Sequence, residues 1–213
     1  MNYEIQSEGP SRSFPEGDSF LQGSSPNSPV LIHLGDCGRV EVQADPDRTA
    51  VLVELGRECL GVHTGEESGE EGSNILGFAR YRNGSDEASK LIELVRQPAS
   101  MQSAIDAATA VFREAGFEVA LCADQAGRII DRLEVPKLND ALRFLDEGLA
   151  SAKDMDLTCR LGLGYRDGPI ERVERGGLEQ HFARSQALFQ VYGTPAYVPA
   201  RRALVAHQRS KKT

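Results

Sequence analysis

After Asp124 the apolar residues of this chain stop arriving in short runs and recur every three or four positions instead. That change of period constrains the fold most strongly, because alternation marks strands and a 3.6-residue repeat marks helices. Before it, "PVLIHLGD" (29–36), "TAVLVELG" (49–56) and "NILGFARYR" (74–82) are brief runs rich in Val, Ile and Leu, and they fit strands. "GRVEVQ" (38–43) alternates and reads as a further strand, while "LIELVR" (91–96) fits either strand or helix. "SMQSAIDAATAVFREAG" (100–116) is helical, with Ser100 as its cap, Ile105, Ala108, Phe112 and Ala115 on one face, and Gly116 as its stop. "FEVALCAD" (117–124) reads as a buried strand. Strands alternating with helix predict an α/β layer.

The remainder predicts helices alone. In "AGRIIDRLEVPKLNDALRFLDEG" (126–148), Ile129, Ile130, Leu133, Leu138, Ala141, Leu142 and Leu145 share a helical period, interrupted by Pro136 and closed by Gly148. Ser151 with Asp154 three residues on is a variant of the capping box. Pro169 opens the next helix, and "LEQHFARSQALFQVYG" (178–193) is amphipathic; a last helix follows Pro199. The expected organisation is a disordered arm over 1–28, a degenerate α/β layer over 29–124 and a helical bundle over 125–213. The arm is inferred from its Ser, Gly, Pro and acidic composition.

At 213 residues and 40% hydrophobic, the chain can bury a core. No run approaches the ~18–20 apolar residues of a membrane helix, and the N-terminus lacks a basic-then-apolar leader, so no membrane and a cytoplasmic location are expected. Cys37, Cys59, Cys122 and Cys159 are scattered without metal-ligand spacing and read as reduced, buried thiols. Residues 1–90 hold 16 acids and 7 bases (−9) and residues 91–213 hold 16 acids and 17 bases (+1), which sum to the net −8. Such an acidic first half argues against a nucleic-acid partner. "PARRALVAHQRSKKT" carries five bases and reads as a solvated tail or, more weakly, as a contact for a phosphate-bearing ligand.

From Gly127 a series of residues falls in a familiar order: Gly127, Arg132, Pro136, Asn139, Ala141, Glu147, Gly148, Ala150, Asp154, Asp156, Leu161, Gly162, Gly164, Tyr165, Gly168 and Pro169. This resembles the C-terminal helical domain of the 3-hydroxyacyl-CoA dehydrogenases, whose motifs run Pro-x-x-Asn-Glu-Ala, Glu-Gly-x-Ala, Asp-x-Asp and Leu-Gly-x-Gly-Tyr-x-x-Gly-Pro. The likeness covers roughly residues 90–213. It is similar in particular to the degenerate second half of certain long bacterial members, in which a shortened α/β piece precedes the helices. The resemblance implies oxidation of the 3-hydroxyl of an acyl-CoA, with hydride passing to NAD, a histidine taking the proton, a carboxylate orienting that histidine and an asparagine holding the reacting oxygen.

Carried over residue by residue, Glu93 matches the carboxylate and Asp131 stands at the asparagine's position, where an acid would repel a developing oxyanion. The histidine's place falls on Ala79 or Tyr81, depending on the direction of counting. "GLGYRDG" (162–168) has the wrong spacing for a dinucleotide loop and follows a helix, so no cofactor site is expected here, although the family uses NAD. His33 reads as a core or edge histidine, His63 as lying beside a flexible loop, and His181 and His207 as helix-boundary residues. The acidic loop "GEESGEEG" matches no calcium loop, and no metal site is expected. The family reading therefore favours a non-catalytic dimerisation or acyl-CoA-binding module, forming a homodimer through its helices. The alternative is a dehydrogenase that works with a partner chain supplying the NAD domain; a different enzyme using His33 with Asp131 or Glu93 is a third, weaker class.

Overall fold

The computed structural model describes residues 2–35, 42–67 and 71–211, which divide into two compact units. One holds residues 1–82 and 88–128, the sheet unit; the other holds residues 83–87 and 129–213, the helical unit.

The sheet unit contains six strands: β1 (Tyr3–Ser7), β2 (Val30–Leu34), β3 (Ala50–Glu54), β4 (Ile75–Arg80), β5 (Leu91–Arg96) and β6 (Glu118–Ala123). They lie side by side in sequence order. All neighbouring pairs are parallel except β4 and β5, which are antiparallel. Short helices α1 (Ser19–Gln22) and α2 (Gly61–Thr64) and the longer α3 (Gln102–Glu114) lie in the connections between parallel strands. The ambiguous 91–96 run becomes a strand because β4 on one side and β6 on the other satisfy its backbone. The 38–43 run lies mostly outside the described residues.

The described residues 2–28 form no disordered arm. Tyr3–Ser7 is an edge strand in register with Val30–Leu34, and Phe14 and Phe20 are almost wholly buried. Tyr3 stacks on Phe20 at 4.5 Å and Phe20 on Phe14 at 4.3 Å, in a cluster continued by Phe78, Phe112 and Phe117. Composition averaged over the segment hides this: three aromatic side chains, each contributing about 1.5–3 kcal/mol on burial, hold polar neighbours in place. The outer edge of β1 is covered by its own chain, with Ile5 N–H donating to Ser24 Oγ at 2.9 Å and Ser25 N–H to the Tyr3 carbonyl at 2.8 Å.

Two further details differ from expectation. Ser100 does not cap α3, which begins after Met101; its hydroxyl accepts the Gln97 N–H at 3.0 Å instead. β6 is an edge strand without a fully buried residue, and Leu121 is exposed.

The helical unit contains α4 (Ile130–Asp146), α5 (Ala152–Leu163), α6 (Pro169–Gly176), α7 (Leu178–Tyr192) and α8 (Arg201–Ser210). Its apolar centre joins Leu138, Ala141, Leu142, Ile170, Val173 and Ala200. The predicted helix 126–148 starts four residues late, because Gly127 (φ 72°) and Arg128 (φ 47°) are both left-handed and no helix can begin through them. Pro136 lies within α4, and Ser151 caps α5 by accepting the Asp154 N–H at 3.2 Å, as read from the sequence.

Candidate functional site

Glu93 sits in the middle of β5 and is 4% exposed. The antiparallel ladder sets it directly opposite Ala79 on β4, so their side chains share one face of the sheet. The position facing the carboxylate across the ladder is therefore a methyl group, and Tyr81 lies beyond the end of β4. The carboxylate meets a cation instead. Arg128 Nε stands 3.4 Å from Glu93 Oε2, with both side chains 5% exposed. The same guanidinium donates through Nη2 to the Gly56 carbonyl at 2.6 Å, and its buried Nη1 has no partner among the described residues. The left-handed backbone of Arg128 belongs to this arrangement, a conformation uncommon for any residue but Gly.

Asp131 lies in the first turn of α4, within the helical unit, and is buried. The structure pairs it with Arg184 of α7, at 3.6 Å, and Arg184 also reaches Glu134 at 3.5 Å. Arg132 packs over the Tyr192 ring, 4.7 Å from its centre. Asp131 is thus one member of an ion network rather than an isolated acid.

Sequence reasoning missed two histidine arrangements. His63, expected beside a flexible loop, is 3% exposed on α2, and its Nε2 lies 3.1 Å from Glu58 Oε1. Burial works to raise the Glu58 carboxyl, but bonds from His63 and from the backbone N–H groups of Gly56 and Arg57 outweigh it and hold the group down to about 2. A Glu five residues before a His was the available signal, and it matches no spacing that chemistry demands. His181, expected at a helix boundary, is fully buried, with Nε2 2.9 Å from Asn139 Oδ1; Ser185 Oγ donates to the same oxygen at 3.2 Å. Burial, and secondarily Arg184, push the imidazole down to about 4, so it is neutral at pH 7. His33 is half-buried in β2, and desolvation lowers its pKa; neither Glu93 nor Asp131 is among its paired neighbours.

The described cysteines are half-buried rather than fully buried. Burial, aided by Glu93, pushes the Cys122 thiol up to about 11, and burial with Asp124 raises Cys59, which leaves little thiolate for nucleophilic work. Among the described residues no three His, Cys, Asp or Glu side chains converge as a metal site. None of the described helices is long and apolar enough to cross a membrane.

The motif residues of the helical unit have identifiable work. Asp156 accepts the N–H of Ile170 at 2.8 Å and of Glu171 at 3.1 Å, satisfying the start of α6. A side chain at Gly168 would collide with the Asp156 carboxyl, which explains the Gly-Pro pair at this entry. Asn139, whose Oδ1 meets His181 and accepts from Ser185, donates through Nδ2 to the Ala196 carbonyl at 3.2 Å.

Comparison with known proteins places this architecture in two steps. The fold is that of Rossmann-like dehydrogenases with a C-terminal helical domain: (S)-3-hydroxybutyryl-CoA dehydrogenase from Ralstonia eutropha superposes over 85% of this chain and 65% of that one, with a TM-score of 0.70 and 18% identity. Residues 127–213 match the 3-hydroxyacyl-CoA dehydrogenase, C-terminal domain. Hydroxyacyl-coenzyme A dehydrogenase, mitochondrial, of Sus scrofa is 36% identical over 90 residues, 42% of this chain and 29% of that protein. A 3-hydroxybutyryl-CoA dehydrogenase of Mycobacterium tuberculosis is 31% identical over 111 residues, 51% of this chain and 38% of that protein. The helical part of the chain is thus similar to the C-terminal domain of the 3-hydroxyacyl-CoA dehydrogenases. It spans well under half the length of these two relatives.

Proposed function

We propose that these 213 residues act as a non-catalytic member of the family, a dimerisation or acyl-CoA-binding module of acyl-CoA metabolism. The observation that carries this reading is the setting of Glu93. A carboxylate that orients a general base needs an imidazole within hydrogen-bond reach; Glu93 faces Ala79 and is engaged by Arg128. The sheet adds support. Dinucleotides bind where the strand order of an open α/β sheet reverses, and the six described strands follow one another without reversal.

Self-association is supported by large apolar side chains left in solvent on the helical unit: Leu133 at 72%, Leu149 at 69%, Leu161 at 80% and Val191 at 59% exposed. Leu157 and Leu161 lie one turn apart on α5 and so share a face. The second reading, in which another polypeptide supplies the NAD domain, rests on the retention of Glu93. Arg128 counts against it, because a buried guanidinium beside the carboxylate leaves that group less available to an incoming histidine.

Incubating the purified chain with 3-hydroxybutyryl-CoA and NAD tests the proposal. No NADH above the protein-free rate is expected, with a molar mass by light scattering of twice the chain. NADH formation dependent on Glu93 would overturn the non-catalytic reading, and a monomer at micromolar concentration would overturn the dimer.

A further inference from the structure

Strands β1 to β4 are parallel, so their carboxyl ends, at Ser7, Leu34, Glu54 and Arg80, lie along one side of the sheet. Ligands of open α/β sheets bind outside such ends. Here the chain itself crosses them, residue by residue and in strand order. The Glu8 N–H donates to the Leu34 carbonyl at the end of β2, at 3.0 Å. Gly9 lies against Gly35 so closely that a Cβ on Gly35 would stand 2.8 Å from the Gly9 nitrogen. At the end of β3, Ser11 Oγ donates to Glu54 Oε1 at 2.9 Å and the Ser13 N–H to the same oxygen at 2.5 Å. The Gly35 N–H takes the other oxygen, at 2.9 Å. The Arg12 guanidinium packs where a side chain on Gly56 would project. At the end of β4, Arg80 Nη1 donates to the Ser13 carbonyl at 3.3 Å and pairs with Asp18 at 2.6 Å. Phe14, 1% exposed, anchors the middle of the segment in the aromatic core.

Glu54 is 3% exposed, and a carboxylate at that depth needs donors on both oxygens. The segment supplies two of the three it has, in the position where a ligand's hydroxyl or amide would otherwise sit. We propose that residues 8–18 are an intramolecular strap that closes the carboxyl-end face of β2, β3 and β4 to outside ligands. This closure acts independently of the setting of Glu93.

Carboxyl labelling with a carbodiimide and an amine, read by mass spectrometry, tests it. In the wild-type chain, exposed Glu118 is modified while Glu54 is not. In the Ser11→Ala/Asp18→Ala variant, Glu54 labels about tenfold faster, and Glu93, equally buried in the same sheet, stays unmodified. Wild-type Glu54 labelling at the rate of Glu118 would overturn the strap, as would an unchanged rate in the variant. Should Glu93 also label, the variant has unfolded and amide exchange of the wild-type chain decides instead. Slow exchange at Ser13 and Phe14, matching that of β2 and β3, supports the strap; exchange at the rate of a free peptide refutes it.

Discussion

In the helical unit acids and arginines alternate in a chain. Asp131 meets Arg184 at 3.6 Å, Arg184 meets Glu134, Glu134 meets Arg172 at 2.5 Å, and Arg172 meets Asp167 at 3.2 Å. Asp167 then meets Arg175 at 2.7 Å, and Arg175 meets Asp86 at 2.8 Å. In the sheet unit the buried Glu93 lies between strands against Arg128, a guanidinium with one nitrogen unsatisfied among the described residues. A chain of charges shares the loss of any one member among its neighbours. A pair enclosed by apolar strands does not, because breaking it leaves the other charge in a poor dielectric. The two buried acids therefore differ in kind: Asp131 is one link of several, and Glu93 counterbalances a buried cation.

The sharpest way to break this contrast is Glu93→Gln. It leaves Arg128 buried beside a neutral amide, and the sheet unit is expected to lose about 3–5 kcal/mol, read as a fall in the denaturation midpoint. A loss below about 1 kcal/mol would show that water already screens the pair.

Acid separates the two units next. His181 has its pKa depressed in the folded state, from 6.5 to about 4, so the unfolded chain binds the extra proton. Stability contributed by the neutral imidazole is complete above pH 6.5 and is lost as the pH falls towards 4, amounting to about 3 kcal/mol. Glu58, depressed from 4.5 to about 2, withdraws its contribution from the sheet unit only below 4.5. Thermal unfolding followed by amide exchange between pH 7 and 4.5 is expected to show the helical unit weakening more than the sheet unit, in which the less strongly lowered His33 titrates over part of the same range. Equal weakening of both units would place the acid-sensitive group elsewhere.

The smallest effect is expected for Asp131→Asn. Arg184 keeps Glu134, and the amide fits the same space, so the midpoint shifts by about 1 kcal/mol or less. No dehydrogenase activity is gained. Turnover in that variant would mean the acid alone had silenced an otherwise complete site.

Much of the helical unit was legible in the sequence because its signals are local. Gly168–Pro169 starts α6, Ser151 with Asp154 starts α5, and Gly164 stops it in a left-handed turn. Each acts within a few residues, so spacing alone reveals it. The sheet unit was only partly legible. β2, β3 and β4 announce themselves as apolar runs, whereas β1 is a five-residue edge whose place depends on Phe14 and Phe20 packing far along the chain. The setting of Glu93 depends on strand register, and its partner lies 35 residues away across the sheet. Asp131 likewise draws its counter-charge from another helix, not from its sequence neighbours. Non-local pairing is what spacing cannot express.

Calorimetric titration of the purified chain with NAD tests the central claim most directly. The predicted result is no binding heat up to millimolar nucleotide, with Glu93 held by Arg128 and facing Ala79. Saturable binding with a dissociation constant in the micromolar range would contradict the account.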